Sequence, residues 1–481
     1  MEFGYKKLYI DGKLVDATDG GRRDVVCPAT GKSVATIAWA GKKDTARAIE
    51  AARKGFAVWS AMSMAERNGW IKKLRDEVIA NAELLQEAIM HEMGKTWESA
   101  TEDIESLINA LEWYPQEMLH RRDQIIPDPD GTHQHLLLSE PRGVVVGILA
   151  WNFPLLNLSF KLGPALATGC SIILKPSKES PISAYIVGEI CHRIGFPAGV
   201  VNVICGPAAE TSVPLCESKD VNVLTLIGSS DTGRKIIEQS SCSIKKLGME
   251  LGGNAPAIVF ADSNLEEAAT LIAALKYGNC GQVCVSPNRI FVEGKVYDAF
   301  MKMFMKEVRA VKVGFGRGTG VTMGPLVSEE ARSRVMEVIA DALARGAKLT
   351  AGGHIPKGME AGWFLEPTVL EGVAPGMRAY DEEMFGPVAS VVRFDSEKQL
   401  QGMVNIASAG LSSYLFTSDH AKIQFYTHFM EYGEVHVNGC KYAIYLPHGG
   451  IKESGIGHDC SHLALDDYLQ IKRVTVKIEK R

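Results

Sequence analysis

Gly143-Val144-Val145-Val146-Gly147-Ile148-Leu149-Ala150-Trp151-Asn152-Phe153-Pro154 is the stretch from which the fold is read. A short β-branched apolar run ends in a turn, and a helical pattern follows at Leu155–Thr168. The alternation then repeats through strand-like Ser171–Lys175, helical Ile182–Arg193, strand-like Val200–Cys205, a short helix near 208–217, strand-like Val221–Ile227, helical Thr232–Ser240 and strand-like Ile244–Glu250. Apolar runs of this length separated by helices form a parallel sheet covered on both faces. The fold class is therefore α/β, built on a doubly wound, Rossmann-like unit. Such sheets bind ligands outside the carboxyl ends of their strands. Asn152, Lys175, Gly228 and Glu250 each fall at or just after a strand end.

Upstream, Lys7–Val15 reads as a strand and turn, and Asp44-Thr45-Ala46 opens a helix. Ser63-x-x-Glu66 is a capping box ahead of Ile71, Leu74, Val78 and Ile79 at helical spacing. Helical patterns over 81–94 and 98–118 stop at Arg121-Arg122-Asp123 and the turn-rich Pro127–Gly131. Downstream, a second alternating region runs from Ala255 to about Val435, with helices near 297–312 and 329–345 and strands near 388–393 and 435–437. The tail through Val476 reads as a strand.

At 481 residues the chain is long enough for two or three domains. With 23% charged residues and no apolar run of about 18, it has neither a disordered nor a membrane-spanning composition. The start lacks the apolar core of a signal peptide, so a cytoplasmic location is expected. A net charge of -5 without a basic tract gives nucleic acid no footprint and points to a small-molecule partner. The ten cysteines are scattered, without a Cys-x-x-Cys pair or a partnering His cluster, so neither a disulfide framework nor a metal site is indicated.

Among those cysteines, Cys284 stands apart in Gly281-Gln282-Val283-Cys284, a loop between a helix and the strand-like Arg289–Val292. Loops of this kind carry catalytic groups. Cys280, four residues earlier, is either a bystander or a resolving thiol. With Glu250 beside Gly252-Gly253 and Asn152 at a strand end, Cys284 completes a set of nucleophile, base and oxyanion donor. Read singly, each has a plainer role: a buried thiol, a surface charge and a turn residue.

Seven strings stand in order along the chain: Trp151-Asn152-Phe153-Pro154, Lys175-Pro176-Ser177, Gly228-Ser229, Glu250-Leu251-Gly252-Gly253, Gly281-Gln282-Val283-Cys284, Glu383-Met384-Phe385-Gly386-Pro387 and Lys452-Glu453-Ser454-Gly455. Together they resemble the signature of the NAD(P)-dependent aldehyde dehydrogenase superfamily, nearest its succinate-semialdehyde and lactaldehyde dehydrogenase branches. The resemblance implies a cofactor domain over 1–120 and 141–250, a catalytic domain over 251–435, an oligomerisation arm of β-structure over 121–140 and 460–481, and a pocket loop over 436–459. It also implies a homodimer or homotetramer.

By that resemblance, Cys284 attacks an aldehyde, and the Asn152 amide and Cys284 N–H hold the oxyanion. Donors of this kind are worth about 3–4 kcal/mol. Glu250 activates water to hydrolyse the thioester, and burial would raise its pKa from about 4.3. Its presence implies a free carboxylic acid product rather than acyl transfer to coenzyme A. Trp151, Lys175, Ser177, Lys178, Gly228, Ser229, Leu251, Glu383 and Phe385 are the implied cofactor ligands. Leu226-Ile227 replaces the family's usual Phe-Thr ahead of Gly228-Ser229.

In the family, a Glu three residues after Lys175 often selects NAD; here that residue is Lys178. Two cations and the Ser177 hydroxyl suit a 2′-phosphate, so NADP is the expected cofactor, with NAD possible. Phe160, Gly278, Val283, Val285, Tyr442 and His448 are the implied substrate-pocket residues. Semialdehyde enzymes often place arginine where Phe160 and Gly278 stand, which argues against succinate semialdehyde. His448 replaces a common Phe: either it makes a polar pocket for a hydroxylated or anionic short aldehyde, or it packs at a subunit contact. The alternative activity for the Cys–Glu–Asn set is a cofactor-independent thiol esterase or acyl-transfer enzyme.

Overall fold

Val144–Ile148 lies at the centre of an eight-stranded sheet, with every residue of the strand buried. Burial on both faces is why the run is continuously apolar rather than alternating. The structure, a computed structural model, describes residues 2–318 and 320–478. Met1, Thr319 and residues 479–481, which the expected segments include, lie outside the described residues.

Across this sheet the strands run Gly455–Ile456, Lys246–Glu250, Val223–Ile227, Val144–Ile148, Ser171–Lys175, Val201–Val203, Leu8–Ile10 and Lys13–Val15. The five inner strands are parallel and the outer ones antiparallel. Chain order reverses between Val144–Ile148 and Val223–Ile227, which opens a crevice at their carboxyl ends. Trp151 and Asn152 leave one of these strands and Gly228 the other. The fold is the expected α/β, Rossmann-like one.

A second, seven-stranded sheet runs Lys348–Ala351, Thr368–Glu371, Val388–Phe394, Pro287–Glu293, Ala255–Val259, Ser412–Phe416 and Glu434–Val437, with only the first strand antiparallel. Only Leu251–Asn254 separates the strand Lys246–Glu250 of the first sheet from Ala255–Val259 of the second. Each sheet has its own large apolar core.

A third sheet is antiparallel: Gln124–Ile126 pairs with His133–Pro141, which pairs with Leu469–Lys477 over nine register positions. Ile125, Ile471 and Val476 are exposed on it. Among the described residues no helix is long and apolar enough to cross a membrane.

Several helix and strand limits differ from the sequence reading. The helix expected to open at Asp44 begins at Lys42, because the Asp44 carboxylate accepts the Gly41 N–H from the third helical position. Asp44 is thus part of the cap, not the start. The helix near 208–217 shortens to Ser212–Glu217, and the strand from Ile244 starts at Lys246, leaving Ile244 fully exposed. The Ser63–Glu66 capping box forms as read.

Candidate active site

Cys284 follows a tight turn, Gly278–Gly281, in which Asn279, Cys280 and Gly281 take φ of +48°, +58° and +68°. At Gly281 a Cβ would lie 2.1 Å from the Gly386 carbonyl oxygen, so glycine is required there. Gln282 is fully buried and staples the loop from inside. Its amide donates to Asn279 O at 3.0 Å and Pro325 O at 3.3 Å, and its Oε1 accepts from Val327 N at 2.9 Å. Two left-handed non-glycine residues persist because these bonds hold the turn closed. Cys280 is buried in the second core, away from solvent, as a bystander would be.

Asn152 is oriented by three neighbours. Its Nδ2 donates to Gln282 O at 3.1 Å, its Oδ1 accepts from Asn157 Nδ2 at 3.2 Å, and its main-chain carbonyl accepts from Asn279 Nδ2 at 3.0 Å. Asn157 also donates to Ala150 O, which can only accept. The Asn152 amide therefore points its N–H groups towards the cysteine loop.

The helix after it, Pro154–Thr168, has two of its free first-turn N–H groups, on Leu155 and Leu156, taken by Asp103 Oδ1 at 3.0 Å each. Asp103 pairs with buried Lys95 at 2.6 Å, and Lys95 lies over the Phe153 ring. The turn bearing Trp151 and Asn152 is thereby fixed from behind.

Glu250, the last residue of its strand, is 4% exposed, and its Oε1 accepts no hydrogen bond. The His448 Nε2 stands 3.5 Å from it. His448 Nδ1 is 2.7 Å from Glu434 Oε1. The Cys284 sulfur, a Glu250 carboxylate oxygen and a His448 ring nitrogen all lie within 4.8 Å of one another. Desolvation by burial pushes the Cys284 thiol up to about 12, Glu250 adds to the rise, and His448 works against it. Burial by itself would lower the His448 pKa, yet the nearby Cys284 and Glu250 and the bond to Glu434 hold it well above the ordinary histidine value. Glu434 is held down at about 2, its desolvation outweighed by His436 and His448.

These groups open into one cavity of about 1050 Å³. Of the sequence-predicted residues, Trp151, Asn152, Phe160, Gly228, Ser229, Glu250, Gly278, Val283, Cys284, Val285, Glu383, Phe385, Tyr442 and His448 line it. Lys175, Ser177, Lys178 and Leu251 do not. The Leu251 side chain packs into the core against Gly233.

A dinucleotide's requirements are met at the crevice. Gly228 turns from strand to the helix Ser230–Ser240, and that helix directs its N-terminus there. Lys175 ends the neighbouring strand, and Ser177 follows it. The Glu383 Oε1 accepts the Gly253 N–H at 2.9 Å, and a Cβ on Gly252 would come within 2.5 Å of the other carboxylate oxygen. That bare glycine is the space Glu383 needs. Burial pushes the Glu383 carboxyl up to about 7. Trp151 meets Phe385 edge-on, with ring centroids 5.4 Å apart.

The chain matches the model of the aldehyde dehydrogenase family over residues 14–474. The chain belongs to the aldehyde dehydrogenase family. It is an oxidoreductase acting on aldehydes. A succinate-semialdehyde dehydrogenase [NADP(+)] of Escherichia coli is 35% identical over 98% of each chain. A 3-sulfolactaldehyde dehydrogenase of Pseudomonas putida is 36% identical over 98% of this chain and 96% of that one. The crystal structure of a succinate-semialdehyde dehydrogenase from Burkholderia pseudomallei superposes with a TM-score of 0.96, at 39% identity over 98% of each chain.

Beyond the family motifs, the site holds residues that the sequence reading did not select. Glu434 and His436 alternate on the strand Glu434–Val437, with His436 stacked on Tyr414. Glu179 accepts the Ser177 hydroxyl and lies 3.5 Å from Lys178 Nζ. The expected cluster of two cations and a hydroxyl thus contains a carboxylate as well. A Glu-x-His pair at strand period was visible in the sequence, but nothing local tied it to His448.

Proposed function

We propose that the chain oxidises a small, polar or hydroxylated aldehyde to its carboxylic acid, with NADP as preferred cofactor and NAD accepted. The observation that carries this is the convergence of Cys284, Glu250 and Asn152 on one cavity beside the strand-order reversal. In this reading the Cys284 sulfur adds to the aldehyde carbonyl. The free Asn152 N–H and the Cys284 N–H receive the oxyanion. A bound nicotinamide supplies the hydride acceptor. Glu250, whose Oε1 is unpartnered, removes a proton from the water that cleaves the thioester.

The substrate class rests on the lining. Glu102, Glu105, Glu250, Glu383 and Glu434 face the cavity, against Arg334 and Lys441 and the two histidines 436 and 448. A carboxylate on the substrate, distal to the aldehyde, would enter a predominantly acidic site, and an unpaired buried charge costs several kcal/mol. Neutral hydroxyl groups find partners in Tyr442 and Ser286. Succinate semialdehyde is the second reading, favoured by the names of two relatives.

The preference for NADP is supported by Lys175, Ser177 and Lys178, with Glu179 limiting its size. The eight-stranded sheet is taken as the cofactor domain and the seven-stranded sheet as the catalytic one. The exposed edges of the antiparallel sheet, with Ile125 and Ile471, suit pairing between subunits into a homodimer or homotetramer. All ten cysteines are unpaired thiols, as a cytoplasmic enzyme's would be.

The test is formation of reduced cofactor at 340 nm from lactaldehyde, glyceraldehyde, succinate semialdehyde and an aliphatic aldehyde, each with NAD⁺ and NADP⁺. Highest kcat/KM on a hydroxyaldehyde with NADP⁺ supports the reading. Highest kcat/KM on succinate semialdehyde moves it to the second. A large NAD⁺ preference removes the cofactor assignment, and ester cleavage without any aldehyde turnover removes the oxidation itself.

A further inference from the structure

We propose that His448 is a further catalytic residue: held through Nδ1 by Glu434, it takes the Cys284 thiol proton on Nε2, forming a Cys284–His448–Glu434 relay beside Glu250. The proposal rests on the reading of Cys284 as the nucleophile of aldehyde oxidation.

The geometry is built, not incidental. His448 Nδ1 lies 2.7 Å from Glu434 Oε1, and Glu434 is fixed at the start of its strand. The His448 main chain is pinned in both directions to Asp459, N to O at 2.8 Å and O to N at 2.7 Å. Asp459 is in turn locked by the buried Lys161, at 2.6 and 2.7 Å. Phe160 and Tyr442 flank the ring, each with its centroid 6.2 Å away. The imidazole therefore has one available edge, and that edge faces Cys284 and Glu250.

The tautomer follows from Glu434. An ionised carboxylate only accepts, so Glu434 keeps a proton on Nδ1, and Nε2, 3.5 Å from Glu250, is the ring atom that exchanges a proton with the thiol; the raised basicity of the ring favours that proton on Nε2 over sulfur. In the step proposed, the S–H bond of Cys284 breaks, an N–H bond forms at Nε2, and the electron pair remains on sulfur. The imidazolium is then stabilised by Glu434, as in other thiol–imidazole–carboxylate sets. Sulfur next bonds to the aldehyde carbon. A thiol this desolvated does not ionise unaided, and the Glu250 charge opposes it further. A cation at His448 is the counter-charge that a thiolate here needs. Glu250 is then left free for the later water step, so the two proton acceptors divide the two halves of the reaction.

Other charged or titratable groups face the ring's surroundings and are part of the response to pH. These are Glu250, Cys284 and Glu434 at the ring, His436 paired with Glu434, Tyr442 edge-on to the ring, and Cys460, Asp459 and Lys161 on the neighbouring main chain and helix.

The test is the pH dependence of iodoacetamide alkylation at Cys284, with neither cofactor nor aldehyde present, in wild type, His448→Phe, Glu434→Gln and Glu250→Gln. The relay predicts that His448→Phe moves the alkylation profile up by about one pH unit or more and slows reaction at pH 7 by about ten-fold. Glu434→Gln moves it in the same direction by less, and serves alone should His448→Phe fail to fold. In turnover, kcat/KM of His448→Phe falls at pH 7, and the deficit against wild type narrows steadily as pH rises. Glu250→Gln, which removes a charge that opposes thiolate formation, moves the alkylation profile down and never up, while losing steady-state turnover. Superimposable profiles for wild type and both relay variants overturn the proposal. A shifted profile in a protein that oxidises no aldehyde keeps the relay and removes the dehydrogenase reading.

Discussion

Replacing Asn152 by Ala removes one hydrogen-bond donor at a position the fold has committed to. The Asn152 amide is oriented by Asn157, whose own amide is set by the Ala150 carbonyl, and one N–H is spent on Gln282 O. The other N–H has no partner among the described residues. It has no work in the resting enzyme, so its value is realised only when negative charge develops on the aldehyde oxygen. Loss of such a donor costs about 2.7–4 kcal/mol of transition-state stabilisation, or roughly 10²–10³ in kcat/KM. The lost bond to Gln282 O accounts for only about 1 kcal/mol of stability. The assay is kcat/KM from 340 nm absorbance, paired with the rate of iodoacetamide alkylation of Cys284 and a thermal melt. The expected result is a fall of at least about 100-fold in kcat/KM with alkylation within about three-fold of wild type. A fall below about five-fold would refute the oxyanion role. A matching fall in alkylation would show that Asn152 acts on the loop and not on the substrate.

Gly281→Ala places a Cβ 2.1 Å from Gly386 O at a φ of +68°, and is expected to cost about 2 kcal/mol or more in urea unfolding, with a large loss of kcat/KM as the loop shifts. An unchanged urea midpoint would contradict the strained-turn account. Asp103→Ala leaves Lys95 buried without its anion and exposes two helix N–H groups, so a loss of about 3–5 kcal/mol is expected. Lys95→Met in that background should recover much of the loss, and failure to recover would place the cost in the helix cap.

The sheet that organises the cofactor side was readable because parallel strands buried on both faces leave uninterrupted apolar runs. Val144–Ile148 and Val223–Ile227 announce themselves in this way, and Asn152, Gly228 and Glu250 follow as strand-end residues. Cys284 was legible from its glycine-flanked loop. What stayed hidden depends on contacts that the sequence does not order. Glu434 meets His448 across 14 residues, and Glu250 meets it across 198, through a strand in one sheet and a loop crossing to the other. Periodicity does not bring them together. Lys175, Ser177 and Lys178 suggested a cationic cluster because Glu179 reads as an ordinary surface acid until its carboxylate is seen on Ser177. The helix read as opening at Asp44 starts two residues earlier because that carboxylate caps from within the first turn.

The carboxyl end of one sheet leads directly into the amino end of the other, and this explains why the site leaves so little room in its connecting backbone. Glu250 closes the carboxyl edge of one sheet, and Leu251–Asn254 leads to the amino edge of the other, where Ala255 and Pro287 begin adjacent strands. Cys284 enters from this second side. Gly252 and Gly253 stand between nucleophile and base, and a Cβ on Gly253 would lie 2.2 Å from Cys284 O. The cysteine main chain is therefore seated directly on the linker that carries Glu250. Asn254 and Arg289 tie the same linker into the second core, through Asn254 Nδ2 to Tyr380 O at 3.0 Å and Arg289 to Asn254 O at 2.9 Å. Base and nucleophile are thus held by backbone contact rather than by flexible side chains, a condition for keeping reacting groups within a fraction of an ångström of their positions. His448 reaches this junction from a third direction, on the loop returning from the second sheet to the strand Gly455–Ile456, which pairs with Glu250's own strand. The relay and the base consequently share one rigid frame.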